Sequence, residues 1–227
     1  MEKYTIIDLT HTLDSETPTF DGGCGFKLAV SLDYKDCTEP NLFRVQKLDT
    51  RSGIGTHMDA PAHCIPGGKT IEQLSLENLV ADCVVIRTDK ETAEDYVVMP
   101  SVIEMFEKEN GKIQPNTFVI FYTGWGKHWD NKDKFLNNHV SPSIHESVAK
   151  ILLERDVVGV GIDTLSADAG DKDFPVHRAI LGAGKYLVEN IANAGLLPVI
   201  GAKSLVLPIK IKEGTEAPVR MIALIEK

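Results

Sequence analysis

The stretch Gly55-Thr-His-Met-Asp-Ala-Pro-Ala-His63 constrains this chain more than any other. It sets His57, Asp59 and His63 at even offsets. An extended strand turns every second side chain to one face. A strand here therefore carries two imidazoles and a carboxylate on one rail. That is the beginning of a divalent-metal site with a base beside it. Pro61 removes a backbone donor and pushes Ala60 toward extended geometry, which keeps the rail straight. Gly55 has no side chain, so another group can approach closely. The spacing alone also suits an ordinary polar turn, and the chain holds seven histidines.

Runs dense in Val and Ile read as buried strands. The expected strands are residues 5–9, 26–34, 43–48, 83–87, 118–122, 157–162, 197–200, 205–211 and 220–225. Helices are expected over 101–109 and 143–154, with a short one at 75–80. The 143–154 segment opens on a Ser143-x-x-Glu146 capping box and carries an apolar stripe through Val148, Ile151 and Leu152. Segments 14–25 and 127–140 read as loops, and loops on a rigid sheet often line sites. Phe20, in the first of them, and Trp125, just before the second, offer flat apolar surfaces to an aromatic substrate, and plain packing is the competing reading.

A chain of 227 residues with 43% hydrophobic content can bury one substantial core. No linker, repeat or charge block divides it, so residues 1–227 are expected to form one domain. Net charge is -9 with no cluster of Lys and Arg. That argues against nucleic-acid and membrane-surface partners, and an acidic balance otherwise serves solubility. The start lacks the basic and apolar regions of a signal peptide, and no apolar run reaches the roughly 18 residues of a membrane span. The expected compartment is the cytoplasm. Cys24, Cys37, Cys64 and Cys83 form no Cys-x-x-Cys pair, so neither a zinc knuckle nor disulfides are expected. Cys64 would turn away from His63 on an extended backbone and pack.

The 55–63 stretch, followed by Ile65-Pro-Gly-Gly-Lys-Thr-Ile71, resembles the signature of the putative cyclase family. That family includes bacterial kynurenine formamidases and isatin hydrolases. Its pattern reads His-x-Gly-Thr-His-x-Asp-x-Pro-x-His. Ile7-Asp-Leu-Thr-His11, Thr123-Gly-Trp-Gly126, Gly161-Ile-Asp-Thr164 and Pro218-Val-Arg220 resemble further landmarks, so the likeness spans nearly the whole chain. The resemblance implies an α/β fold, the strand-rich swivelling β/β/α domain, and a homo-oligomer built on dimers. It assigns metal binding to His57 and Asp59, and maps a distal metal-binding His and Glu onto His177 and Glu189. One position departs. The family's first histidine falls at 53, where this chain has Gly53. Another residue fills that hole, or the metal count falls, or the metal is lost.

The residues around His177 permit convergence with Glu189. Pro175 suits the first turn of a helix, and Gly182 or Gly184 suits its end. Tyr186-Leu-Val then reads as a short strand. Twelve residues in one helix would leave His177 and Glu189 about a third of a turn out of alignment. A break between them lets both point inward.

These residues fit metal-assisted hydrolysis of an amide or related acyl bond. Imidazole with carboxylate suits zinc and also manganese. His63, with an ordinary pKa of about 6.5, suits the proton shuttle. Asp59 has two oxygens and is a candidate bridge between two cations. Asp163 and Thr164 are candidates to orient the ligands, although Asp163 equally suits capping a strand end. Two other readings remain: a binding protein that has lost the chemistry, with Gly53 as its support, and a lactone or ester hydrolase.

Overall fold

Seven strands close into a ring. The computed structural model describes residues 3–91, 93–170 and 173–227. Its strands are β1 (Tyr4–Asp8), β2 (Phe26–Leu32), β3 (Val45–Thr50), β4 (His57–Asp59), β5 (Val80–Arg87), β6 (Val97–Val98), β7 (Phe118–Tyr122), β8 (Ser143–Ile144), β9 (Gly159–Ile162), β10 (Tyr186–Glu189), β11 (Ala202–Pro208) and β12 (Glu216–Glu226). The helices are α1 (Leu76–Leu79), α2 (Pro100–Asn110), α3 (Lys132–Leu136), α4 (Glu146–Glu154) and α5 (Pro175–Gly182). The main sheet runs β1-β12-β11-β5-β7-β9-β10-β4, and β4 pairs back onto β12. That last pairing uses Glu216–Pro218 at the start of β12 and closes the ring, with β1 as an outer strand on β12.

Strand periodicity explains the two cores. Along β7, Phe118 and Ile120 face inside the ring, while Val119 and Phe121 face the helices. The inner core includes Met58, Val85, Val188 and Met221. The outer core packs Ile103 and Phe106 of α2, Val148 and Leu152 of α4, and Val176, Ile180 and Leu181 of α5 onto the sheet. Strands β5, β7, β9 and β10 run parallel, and α2, α4 and α5 lie on their crossovers. Such crossovers bury a parallel sheet on both faces. β9 alternates Gly-Val-Gly-Ile because a Cβ on Gly159 would strike the Tyr186 ring at 2.8 Å, and one on Gly161 would meet Phe118 at 2.9 Å. The α/β architecture is the one the resemblance implies.

Three expectations change. Residues 197–200 form no strand: Pro198 lacks a donor, Gly201 is left-handed at φ 92°, and β11 begins only at Ala202. Ser143 does not cap a helix. It belongs to β8, which pairs with β6, and α4 starts at Glu146 with His145 as its cap, the ring Nδ1 accepting from Ser147 N at 3.2 Å. The segment 127–140 holds the short helix α3. Among the described residues, no helix is long and apolar enough to cross a membrane.

Candidate metal centre

The three residues of β4 are buried throughout. Glu189 of β10 sits directly opposite His57, and Glu216 of β12 sits directly opposite Asp59. Directly opposed residues share a sheet face. Met58, Val188 and Ala217, one step along each strand, point into the ring. His57, Asp59, Glu189 and Glu216 therefore face outward, toward α5. The edge of this face lies where the parallel strands β9 and β10 end, the usual position of sites in such sheets.

His177 comes from the first turn of α5. Asp168 accepts from the backbone N–H of Val176 at 2.8 Å and of His177 at 3.1 Å. It also takes the His177 ring, with Nδ1 at 2.6 Å from Oδ2. That leaves His177 Nε2 3.4 Å from Asp59 Oδ2 and 3.2 Å from Glu189 Oε1. His57 is held in the same manner. Its Nδ1 donates to the Gly55 carbonyl at 2.8 Å, which leaves Nε2 3.6 Å from Asp59 Oδ1 and 3.7 Å from Glu189 Oε2. Gly55 provides that carbonyl from a left-handed turn at φ 58°, a conformation that suits glycine. Asn190 donates to the same carbonyl at 2.9 Å.

The donors fit a divalent cation. Both Asp59 oxygens are buried, yet among the described residues neither has a hydrogen-bond partner. A buried carboxylate without partners is costly unless a positive charge faces it. Four nitrogen–oxygen separations among these side chains run from 3.2 to 3.7 Å. Nitrogen and oxygen ligands held about 2.0–2.2 Å from one tetrahedral ion stand roughly 3.3–3.6 Å apart. Asp59 turns one oxygen to His57 and the other to His177, so it belongs to two donor groups, His57–Asp59–Glu189 and Asp59–His63–His177.

Electrostatics agree. No Lys or Arg lines this cavity among the described residues. Burial works to raise the Asp59 pKa, but the His177, His57 and His63 imidazoles hold it below the ordinary value. Burial pushes His177 down, and Glu189, Asp168 and Asp59 overcome it and hold that imidazole well above its usual range. The cluster draws positive charge, as protons or as a cation.

Asp168 positions His177, so Asp168→Asn should weaken zinc or manganese binding about 10–100-fold. Asn can still accept from Val176 N through its one oxygen, so the fold should be kept. Calorimetric titration of metal-stripped protein checks this, and unchanged affinity would contradict the assignment.

The pattern that defines the family described as Putative cyclase matches residues 7–169. The chain belongs to this family. This cyclase-family chain is 32% identical over 189 residues to isatin hydrolase of Roseibium aggregatum, covering 76% of this chain and 72% of that protein. It is 26% identical over 219 residues to kynurenine formamidase of Bacillus cereus, covering 95% of each. The crystal structure of an isatin hydrolase bound to the product analogue thioisatinate superposes with a TM-score of 0.90 and 26% identity, over 100% of this chain and 94% of that one.

In this cyclase-family fold His57, Asp59, His177 and Glu189 meet from three separate segments. His63 does not share their rail. Pro61 starts a 3-10 turn, Pro61–His63, and Ala60 alone stays extended. The turn returns His63 to the same cavity, with its ring centre 6.1 Å from His177. Its Nδ1 lies 3.5 Å from Glu216 Oε2. Glu216 raises the His63 pKa above its ordinary value, against burial. The same turn brings Cys64 into the cavity lining rather than to an opposite face.

Phe20 lines this cavity of about 370 Å³ and is 52% exposed. A second hollow of about 610 Å³ adjoins it and shares Phe20, Leu165, Ser166 and Phe174. Trp125 is a correction. It is buried in a cluster with Phe135 and Leu165, donates to the Phe135 carbonyl at 3.0 Å, and lies outside the lining. Asp163 accepts from Thr123 N, Thr123 Oγ1 and Gly124 N at 2.7–2.9 Å, so it ties down the end of β7 rather than orienting a metal-binding side chain. Thr164 accepts from Asn190 N through its carbonyl at 3.0 Å. Sequence reasoning missed Asp168, Asn190, Phe174 and Glu216. Only Asp168, an acid nine residues before His177, left any local signal.

Proposed function

We propose that this chain is a divalent-metal-dependent hydrolase cleaving the C–N bond of an amide in a small aromatic or cyclic substrate. The convergence of His57, Asp59, His177 and Glu189 around unpartnered Asp59 oxygens carries the reading. The isatin hydrolase and kynurenine formamidase relatives support the substrate class. Those four side chains would hold zinc or manganese, with Asp59 able to serve two ions. A divalent cation in this cluster supplies a water acidified from 15.7 toward roughly 7 and a polarised carbonyl.

The protein's own groups do the rest. His57 and His177 keep Nε2 free because Gly55 and Asp168 hold their Nδ1 atoms. His63 takes the proton from the attacking water and returns it to the leaving nitrogen. Phe20 and Phe174, 6.3 Å apart between ring centres and tilted 53° to one another, line the cavity beside the donors and supply its aromatic surface.

Turnover of N-formylkynurenine, isatin and small cyclic imides, measured with zinc or manganese and again after chelation, tests this. Hydrolysis lost on chelation and restored by the metal is expected. Metal-independent binding without turnover would instead identify a binding protein.

The working form in this reading is a homo-oligomer. The β2–β3 hairpin pairs Leu28 with Leu48, and Leu28, Val30 and Leu48 are 55%, 51% and 51% exposed on one face. Such a patch on a protruding ribbon marks a contact surface. Light scattering should give a multiple of 24.9 kDa, reduced by Leu28→Asp with Leu48→Asp. A wild-type monomer would sink the idea. The four cysteines are free, which suits the cytoplasm.

A further inference from the structure

Gly53 carries no side chain beside the donor cluster, yet its space is filled. A Cβ built on it would collide with Glu216 Oε1 and lie 3.0 Å from Glu216 Cδ. The Gly53 backbone is not left-handed, so it would accept a side chain on its own account. A side chain there would have to displace the carboxylate, the far end of a flexible side chain. Glu216 is the first residue of β12, opposite Asp59 and on the face that carries the donors. Its second oxygen, Oε2, is 3.5 Å from His63 Nδ1, and among the described residues His63 is its only ion-pair partner. Both residues line the cavity with His57, Asp59, His177 and Glu189.

We propose that Glu216 is a positioning residue for His63, and that position 53 is glycine because the carboxylate occupies its room. A carboxylate facing Nδ1 at ion-pair distance favours the proton on that nitrogen and so biases both the orientation and the tautomer of the imidazole. Nε2 is then the one nitrogen left to take and give the proton. His63 needs this support because it sits exposed at the end of a one-turn 3-10 helix, outside the ladder that fixes His57 and Asp59. Position 53 and position 216 act as one unit, although 163 residues separate them.

The role of His63 rests on the hydrolase reading, but its orientation does not, so the experiment has two arms. Wild type, Glu216→Gln, Gly53→Ala and the double variant are compared. In the first arm, nitrogen NMR of the His63 ring is recorded at alkaline pH on metal-stripped and zinc-loaded protein. The Nδ1–H tautomer should dominate in wild type and give way to Nε2–H in all three variants. In the second arm, kcat should fall about tenfold or more, within the roughly 100–10,000-fold worth of a general base, with KM changed less than about twofold. The double variant should be no worse than either single one, and zinc content and Tm should stay at wild-type levels. Identical His63 spectra in all four proteins would overturn the proposal. So would loss of zinc in Glu216→Gln, which would make the carboxylate a ligand. If wild type hydrolyses nothing, the hydrolase reading fails and the spectra still decide the orientation.

Discussion

Asp59→Asn is expected to fold and to carry almost no metal. Asp59 is the one residue common to both donor groups, and each of its oxygens faces a different imidazole. Asn keeps the shape and removes the charge. Affinity for zinc or manganese should drop by more than about 100-fold, beyond the roughly 10–100-fold that loss of an outer partner costs. Hydrolysis should fall below detection. The backbone should hold, because β4 is laddered to β10 on one side and β12 on the other. Stripped wild type and variant should melt within a few degrees of one another. Metal analysis after purification without added metal, beside a thermal melt, checks the prediction. Normal metal content with normal Tm would remove Asp59 from the centre.

His63→Ala is expected to separate chemistry from metal binding. His63 lines the cavity from an exposed position and is tied to the protein through Glu216. Its loss should cost about 100–10,000-fold in kcat, the usual worth of a positioned general acid–base. Metal content and Tm should match wild type, since His63 lies outside the strand ladder that fixes His57 and Asp59. His63 also lies within ligand distance of Asp59 and His177. A fall in metal content alongside activity would therefore make it a ligand and contradict its assignment as the base. Unchanged activity would contradict it more simply.

What could be read in the sequence was local. The apolar run 118–122 became β7 with the same limits, because a Phe-Val-Ile-Phe-Tyr segment suits a strand buried on both faces. Pro175 opened α5, and Gly184 followed its end at φ 75°, as chain stiffness and left-handed freedom require. The break between them brought His177 against Glu189. Misreadings came where distant partners decide. The run 197–200 has strand composition, but Pro198 and the turn at Gly201 leave only Val199 O bonded to β5, accepting from Val85 N. Period-two spacing placed His57 and Asp59 correctly and failed at His63, because Pro61 nucleated a turn instead of extending the rail. Trp125 resembled a pocket residue until the Phe135 carbonyl claimed its indole N–H. Glu216 was invisible because its meaning depends on the absent side chain of Gly53 and on a strand closure that no local pattern encodes.

The convergence of segments 57–59, 177 and 189 on a shared cation is tested most directly by diffraction from crystals grown with zinc or manganese, using data on both sides of the metal's absorption edge. The account predicts an anomalous peak bounded by His57, Asp59, His177 and Glu189, with Asp59 touching every ion present. A cluster that stays dark at the edge while the metal binds elsewhere, or not at all, would contradict it.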